Sequence, residues 1–221
     1  LPSLLGFKPL DTMEGQTDLP CLTKPPVFGV FQRGIKVNYQ TLRVWRRILE
    51  AVPGSRMMFK SGDYTPARRL EISGALASFY DRIDFAPPTF YPEHLNYYQV
   101  LDLSLDTWPQ TGGVSTLESI YMGVPVVTLI GERMIQRTSA SILTNVGFPE
   151  CIAQTEDEYV ATAIRLVTTD KNRLVEMRAT ARERLLASPI CTGYVQPVEQ
   201  AYRTLWKEWV AMASDTSKVV N

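Results

Sequence analysis

Two loops of this sequence combine residue types that bind phosphate groups. The first loop follows an apolar run at residues 27–31 and carries two cations, Arg33 and Lys36. The second loop, residues 111–116, places two adjacent glycines directly before a helical pattern. Glycine lets the backbone approach a ligand closely, and the free N–H groups and dipole at a helix N-terminus favour negative charge. Together the two loops predict a site for a nucleotide diphosphate.

The residues of these loops also allow simpler interpretations. Arg33 and Lys36 could be solvated loop charges, because an exposed cation often contributes little to any specific interaction. The pair Gly112-Gly113 could do no more than form a tight turn. Residue types alone therefore leave two alternatives open, a phosphate site and an ordinary pair of surface loops.

Three further polar residues are candidates for ligand binding. Ser115 and Glu118 lie at the start of the helical pattern that follows the glycines. Their spacing fits a capping box, in which the Glu118 carboxylate accepts a hydrogen bond from the Ser115 amide. His94 is the only histidine of the chain, and a single histidine is more often a packed or surface residue than a catalytic one. The capping and packing alternatives stay open for these side chains.

The elements that must position these residues follow an alternating pattern of short apolar runs and helical periods. Such alternation predicts a doubly wound parallel sheet with crossover helices, a Rossmann-like α/β fold. Ligands of such sheets bind beyond the carboxyl ends of the strands, which is where both loops fall. The predicted strands are residues 27–31, 56–60, 83–85, 103–106, 124–129 and 151–153. The predicted helices include residues 39–52, 66–80, 92–100, 115–122 and 194–210.

The domain organisation is that of one α/β domain. The chain has 221 residues, of which 45% are apolar, and this is enough for a single core. Five prolines in residues 1–26 predict an irregular lead-in or linker. The domain itself spans residues 27–210, and residues 211–221 are expected to form a C-terminal tail. The sequence starts without a methionine, and we expect the chain to be part of a longer polypeptide.

Composition excludes several classes of function. Lys plus Arg and Asp plus Glu both number 23, so the formal net charge is zero, which argues against a nucleic-acid or anionic-membrane partner. No apolar run reaches the length of a membrane span. The three cysteines form no metal-binding spacing and no disulfide framework, and they favour a reducing, cytoplasmic location.

A family pattern runs through both loops and most of the chain. It consists of residues 28–33 with Lys36, residues 52–55, Arg82-Ile83, Glu93-His94, residues 105–107, 112–118, 123–128, 131–133 and 206–209. This pattern resembles the C-terminal catalytic lobe of O-linked N-acetylglucosamine transferases, which form glycosyltransferase family 41. The resemblance covers about residues 25–210.

The resemblance implies a role for each of four side chains. Lys36 matches the lysine that contacts the donor diphosphate, where its charge would stabilise the departing UDP. His94 matches a histidine beside the uracil ring. Ser115 matches a hydroxyl that binds phosphate together with the helix N-terminus. Glu118 matches a carboxylate that holds the ribose hydroxyls, a role suited to a group with two acceptor oxygens.

The phosphate-binding loop also departs from the family. Gly113, Val114 and Ser115 stand where the animal enzymes have His-Thr-Thr, so one of three side-chain contacts is kept. Gly112, Gly113 and Val114 are expected to bind through their backbone. Arg33 replaces a glutamine of the first loop and is expected beside the donor. These differences leave the sugar and the base open.

The fold implied by the resemblance is one lobe of a GT-B glycosyltransferase. The implied activity is inverting transfer of GlcNAc or glucose from a UDP-sugar to a protein acceptor. The implied partners are a second, N-terminal catalytic lobe and, as in many members, a tetratricopeptide region. No cofactor and no metal are expected, because the family relies on lysine and helix dipole to offset phosphate charge.

Two other functions are compatible with the residues. The replaced His-Thr-Thr triplet and the absence of a clear general base favour a non-catalytic nucleotide-binding or interaction module with the same fold. A nucleotide-sugar epimerase would share the two-lobe architecture, but such enzymes need carboxylates and histidines that this chain lacks.

Overall fold

The computed structural model describes residues 24–91, 93–193 and 195–216. Residues 1–23, which make up most of the predicted lead-in, lie outside this part, as do residues 217–221 of the predicted tail. Six strands form one sheet in the order β3-β2-β1-β4-β5-β6, and every pairing is parallel. The strands are β1 Val27–Val30, β2 Arg56–Lys60, β3 Ile83–Ala86, β4 Leu103–Leu105, β5 Val126–Leu129 and β6 Ile152–Ala153.

Nine α-helices in the described ranges connect and cover these strands. They are α1 Tyr39–Ala51, α2 Pro66–Ala75, α3 Glu93–Asn96, α4 Val114–Tyr121, α5 Thr138–Asn145, α6 Glu156–Thr168, α7 Lys171–Ala187, α8 Pro189–Thr192 and α9 Val195–Thr216. Short 3-10 helices at Gly34–Lys36, Ala77–Arg82, Tyr97–Val100, Met134–Gln136 and Pro149–Cys151 complete the connections. None of the helices described is long and apolar enough to cross a membrane.

The strand order confirms the predicted doubly wound sheet. β1 pairs with β2 on one side and with β4 on the other, Phe28 lying beside Met57 and Leu103. The winding direction of the chain therefore reverses between β1 and β4. Connections leave in opposite directions at such a point, and a crevice opens at the carboxyl ends of the two strands. The two candidate loops follow β1 and β4, so the fold brings them to this crevice.

The first crossover helix shows how the sequence fixes the frame behind the site. Asn38 caps α1, its side chain accepting from the Thr41 amide at 3.0 Å while the Thr41 hydroxyl accepts from the Asn38 amide at 3.0 Å. Such reciprocal caps stabilise a helix start by about 1 kcal/mol. The inner face of α1 buries Trp45, whose indole N–H donates to the Tyr159 hydroxyl at 3.2 Å. That hydroxyl donates to the Asp106 carbonyl at 2.9 Å, just after β4.

All five helix predictions differ from the structure at their ends, and α1 differs only in ending at Ala51, one residue before its predicted end. The helix predicted for residues 66–80 leaves α-helical geometry at Leu76 (φ −111°, ψ 27°) and continues as a 3-10 helix. The helix predicted for residues 92–100 is a single α turn followed by a 3-10 turn. α4 begins at Val114, one residue before the prediction. α9 continues to Thr216, past the predicted end at residue 210.

Candidate functional site

Lys36 connects the two candidate loops. It lies at the end of the 3-10 helix that follows β1, and its Nζ donates to the Thr111 carbonyl at 3.0 Å and to Gln32 Oε1 at 3.2 Å. Thr111 belongs to the loop after β4. Burial lowers the pKa of Lys36, an effect that Arg33 reinforces and that the nearby Asp106 opposes. The ammonium therefore lies half-buried at the crevice, held by two neutral oxygens.

Asp106 is a buried carboxylate at the end of β4. Its Oδ1 accepts hydrogen bonds from the Thr107 amide at 2.9 Å, the Gly112 amide at 2.8 Å and Gln32 Nε2 at 3.1 Å. Its Oδ2 accepts from the Thr128 hydroxyl at 2.7 Å. Burial raises the pKa of Asp106, and hydrogen bonds from Ser139, Thr128 and the Gly112 and Thr107 amides oppose that shift. A buried carboxylate is tolerated when it is hydrogen-bonded in this way.

Gly112 occupies a position with no room for a side chain. A Cβ there would clash with the Thr116 hydroxyl and would lie 2.7 Å from Gln32 Nε2 and 3.1 Å from Ser115 Oγ. Its carbonyl accepts from the Ser139 hydroxyl at 3.0 Å. Glycine at this position therefore lets the loop pack closely against Gln32, just after β1, and against the first turn of α4.

The loop leads directly into the N-terminus of α4. Gly113 is the N-cap, and no side chain caps this end of the helix. The first amides of a helix have no intrahelical acceptor and carry the positive end of the dipole. Val114 is exposed and Ser115 is half-buried beside them. Backbone donors and one hydroxyl therefore face the crevice next to Lys36, an arrangement suited to an anion.

The capping-box interpretation of Ser115 and Glu118 is wrong. The Glu118 side chain turns away from the helix start and lies 3.4 Å from the hydroxyl of Tyr98, which donates to it. The same hydroxyl also lies 3.3 Å from the Ser115 carbonyl. α4 begins at Val114 with Gly113 as its N-cap, so Ser115 lies inside the helix and not at the capping position. The buried Glu118 carboxylate has its donor, Tyr98, outside its own helix.

His94 and Glu118 form a second cluster beside the loop at residues 111–116. His94 Nε2 lies 3.5 Å from Glu118 Oε2, and their side chains are only 20% and 7% exposed. The His94 ring packs near Tyr91, Tyr98 and Phe31, with ring centroids 5.5, 6.0 and 6.1 Å away. An imidazole among aromatic rings at the rim of a crevice can stack against a planar ligand.

Burial controls the charge of both members of this cluster. Burial raises the pKa of Glu118 from its usual 4.5 to about 7. Burial also lowers the pKa of His94, and the neighbouring Lys60 adds to this effect. Near neutral pH the imidazole is therefore uncharged, and the contact is not an ion pair. Glu118 is the group whose charge changes within the physiological range.

The structure brings most of the predicted site residues together. A small pocket at this edge of the sheet is lined by Phe31, Gln32, Tyr98, Ser115 and Thr116, among others, and Ser115 is the one predicted site residue in its lining. The His94–Glu118 pair is connected to this group through Tyr98, whose hydroxyl contacts both the Ser115 carbonyl and the Glu118 carboxylate. Arg33 is the exception, because its side chain is 72% exposed and lies 3.6 Å from Asp63 in the loop after β2.

Three side chains of the site were missed by reasoning from the sequence: Gln32, Tyr98 and Asp106. Asp106 carried one signal, because it follows the apolar run of β4 directly and therefore falls at the carboxyl edge of the sheet, where ligands bind. The other two gave none. The described ranges contain no group of three His, Cys, Asp or Glu side chains that could hold a metal ion.

The chain is a Rossmann-like lobe of the GT-B architecture of glycosyltransferases. Its six parallel strands have the order of such a lobe, and Lys36 and the loop at residues 111–116 lie where the winding reverses between β1 and β4. The model of the family described as Glycosyl transferase family 41 matches residues 12–196, and the chain belongs to this family. The predicted resemblance is thereby confirmed.

Individual relatives agree with the family. The chain is 36% identical over 215 residues to a probable UDP-N-acetylglucosamine–peptide N-acetylglucosaminyltransferase SPINDLY of Petunia hybrida, covering 94% of this chain and 23% of that protein. It is 30% identical to the UDP-N-acetylglucosamine–peptide N-acetylglucosaminyltransferase of Caenorhabditis elegans, covering 83% and 16%. A structure of Thermobaculum terrenum O-GlcNAc transferase in mutant form superimposes with a TM-score of 0.83 at 29% identity, covering 93% and 40%. The chain thus spans about a fifth of the curated relatives' length.

Proposed function

We propose that this chain is the donor-binding lobe of an inverting glycosyltransferase that moves GlcNAc or glucose from a UDP-sugar to a protein acceptor. The observation that carries the proposal is the position of Lys36 Nζ, which donates a hydrogen bond to the Thr111 carbonyl. Thr111 belongs to the loop with Gly112 and Gly113 that leads into α4, which we call the glycine loop. One cation and a row of helix-terminal amides converge there. This combination suits a diphosphate, whose charge needs compensation when it departs.

The remaining site residues fit the nucleoside part of the donor. Glu118, when ionised, offers two acceptor oxygens for the ribose hydroxyls. His94, packed among aromatic rings, offers a face for the base. In the reaction an acceptor oxygen or nitrogen would attack the anomeric carbon, and the bond from that carbon to the phosphate oxygen would break. UDP would leave with the electron pair of that bond, stabilised by Lys36, and the proton of the acceptor group would pass to a base on the second lobe.

The acceptor side would come from a second lobe. His94 is the single histidine of the chain, and in this proposal it contacts the base of the nucleotide, so no histidine of this chain is left to accept a proton from a protein substrate. We therefore expect a partner lobe within the same polypeptide, with a tetratricopeptide region in addition. A cytoplasmic location stays a prediction, and so does the expectation that binding needs no metal.

Calorimetric titration of the chain with UDP and with uridine tests the proposal. UDP should bind with a dissociation constant between about 1 μM and 1 mM. Lys36→Ala should weaken UDP by about tenfold or more while leaving uridine unchanged, because the lost contact is to phosphate. Lys207→Ala, an exposed lysine of α9, is the matched control. EDTA should leave the titration unchanged. A folded chain that binds no UDP at high concentration contradicts the proposal.

A non-catalytic module with the same fold is the second candidate. It is favoured by Gly113 and Val114, which offer no side-chain hydrogen bond at the start of α4. The two functions diverge in the full-length protein. If that protein, carrying all its domains, binds UDP but transfers no sugar from any UDP-sugar to any peptide, the module is the better description.

A further inference from the structure

Gln32 is the only side chain that bridges Lys36 and Asp106 in the described part of the chain. Its Oε1 accepts from Lys36 Nζ at 3.2 Å, and its Nε2 donates to Asp106 Oδ1 at 3.1 Å. The side chain is buried, only 6% of the residue being exposed. The cation expected at the diphosphate is therefore linked to a buried carboxylate through one amide.

We infer that Asp106 and Gln32 are positioning residues, which hold Lys36 against the donor diphosphate at a fixed distance from the glycine loop. This inference rests on the proposed function. It assigns a role to two side chains that touch neither phosphate nor sugar themselves. Their effect would pass through Lys36.

The chemistry of the amide makes Asp106 the group that sets its orientation. A glutamine side chain has an acceptor end and a donor end of nearly equal size, and either could face Lys36. A carboxylate accepts hydrogen bonds only, so Asp106 attracts the NH₂ end of Gln32. The oxygen end is then turned to Lys36. The reversed amide would place donors against the ammonium and leave both contacts unmade.

Asp106 also fixes the other half of the site. The same Oδ1 atom accepts from the Gly112 amide at 2.8 Å, and the Thr128 hydroxyl holds Oδ2 at 2.7 Å. One carboxylate therefore anchors the glycine loop directly and the lysine through Gln32. Asp106 therefore acts together with the direct contact between Lys36 and the Thr111 carbonyl to set the spacing between loop and cation, which suits a site that must match the two phosphates of one ligand.

The Gln32 amide lies between Lys36 and Asp106, and it keeps the Lys36 ammonium available for an anion. A direct contact with Asp106 would neutralise the ammonium and compete with phosphate. Lysine has three donors, and in the described ranges Gln32 Oε1 and Thr111 O take two of them. One donor remains for a phosphate oxygen. Asp106 meanwhile stays near enough to favour the charged form of a lysine whose burial lowers its pKa.

A double-mutant cycle on UDP binding separates this role from a merely structural one. Gln32→Met is nearly isosteric and removes both amide contacts, and it should weaken UDP by about five- to thirtyfold with uridine unchanged. In a Lys36→Met background the same substitution should change UDP affinity by less than about twofold, since its effect passes through the lysine. Gln32→Asn, which keeps the amide but shortens its reach, provides a second variant if Gln32→Met does not fold.

Tyr64→Phe is the matched control. The Tyr64 hydroxyl donates to the backbone carbonyl of Gln32 at 2.9 Å, so its removal disturbs the same residue without touching the amide side chain. This variant should keep the affinity difference between UDP and uridine.

Three results would overturn the inference. If Gln32→Met leaves UDP affinity unchanged while Lys36→Met lowers it, the positioning role is wrong and the proposed function stands. If Gln32→Met weakens UDP equally in both backgrounds, or weakens uridine as much as UDP, the network is structural. If the parent chain binds no UDP at all, the proposed function fails and the inference falls with it.

Discussion

His94 Nε2 lies 3.5 Å from Oε2 of Glu118, although the two side chains come from helices that follow different strands of the sheet. The carboxyl group is buried, and this burial raises its pKa to about 7. Because the pKa of His94 is lowered by burial, the imidazole does not supply a compensating charge near neutral pH. The folded protein therefore holds an acid whose ionisation is unfavourable.

The raised pKa of Glu118 predicts a pH-dependent stability change in Glu118→Gln. An acid whose pKa is higher in the folded state binds its proton more tightly there. The free energy of unfolding therefore falls as the pH rises from the ordinary value of 4.5 through about 7. Glu118→Gln removes this loss and should be more stable than the parent by about 1–3 kcal/mol at pH 8. At pH 5 the gain should be small.

Urea unfolding of parent and variant at pH 5 and pH 8 measures this difference. Glu50→Gln, which makes the same chemical change in an exposed pair with Arg46 on α1, is the control for the substitution itself. A Glu118→Gln effect of equal size at both pH values would show that burial does not perturb the acid.

Nucleoside binding should depend on the same ionisation. If Glu118 holds the ribose hydroxyls, the charged form is the better acceptor, because hydrogen bonds to charged groups contribute about 1.5–3 kcal/mol. The affinity for uridine should therefore fall by about tenfold between pH 8 and pH 6 in the parent chain, with no such trend in Glu118→Gln. Titration with uridine at the two pH values tests this. Equal pH profiles in parent and variant would remove Glu118 from the ribose site.

Gly112→Ala should damage the site while an identical change elsewhere does not. A methyl group at Gly112 would crowd Gln32 Nε2 and Thr116 Oγ1, both of them held by hydrogen bonds. We expect a stability loss of about 1–3 kcal/mol and loss of UDP binding. Gly74→Ala in α2 meets nothing within 4 Å, and it should be neutral or stabilising by about 0.5–1 kcal/mol. Thermal unfolding and UDP titration of both variants test this difference. Equal changes in stability and in UDP affinity for Gly112→Ala and Gly74→Ala would contradict the prediction.

The chain alone should bind nucleotide without transferring sugar. Transfer needs an acceptor group brought within reach of the donor by a second surface, and in the proposed function this chain supplies the donor side only. A radiolabelled-donor assay with candidate acceptor peptides should detect no multiple turnover. Robust transfer that Lys36→Ala abolishes would show that this chain holds a complete active site.

The sheet followed from the sequence because each of its six strands is a short apolar run. Every predicted strand lies within two residues of the observed limits at both ends. The helix ends were harder. The change to a 3-10 turn at Tyr97–Val100 accompanies burial of Tyr98 against Phe31, with ring centroids 4.6 Å apart. That packing joins elements that are distant in sequence, and the apolar periodicity within one segment does not predict such a contact.

The site was predictable where it depends on loops and not where it depends on buried hydrogen bonds. Lys36 and Gly112 stand in loops that the strand pattern places at one edge of the sheet. In the bridge from Lys36 through Gln32 to Asp106, the hydrogen bond between Gln32 and Asp106 joins residues 74 apart, and no spacing rule predicts such a contact. The Glu118 carboxylate illustrates the same limit, because its distant donor Tyr98 replaced the local cap that the motif indicated.

The most direct test of the account is to map UDP onto the chain by backbone and lysine side-chain NMR. Addition of UDP should shift the amide resonances of Gly113, Val114 and Ser115 and the terminal methylene resonances of Lys36. Uridine should shift residues around His94 and Glu118 but leave the Lys36 resonances in place. UDP shifts that fall away from the carboxyl ends of β1 and β4, with these resonances unmoved, would contradict the assignment of this edge as the donor site.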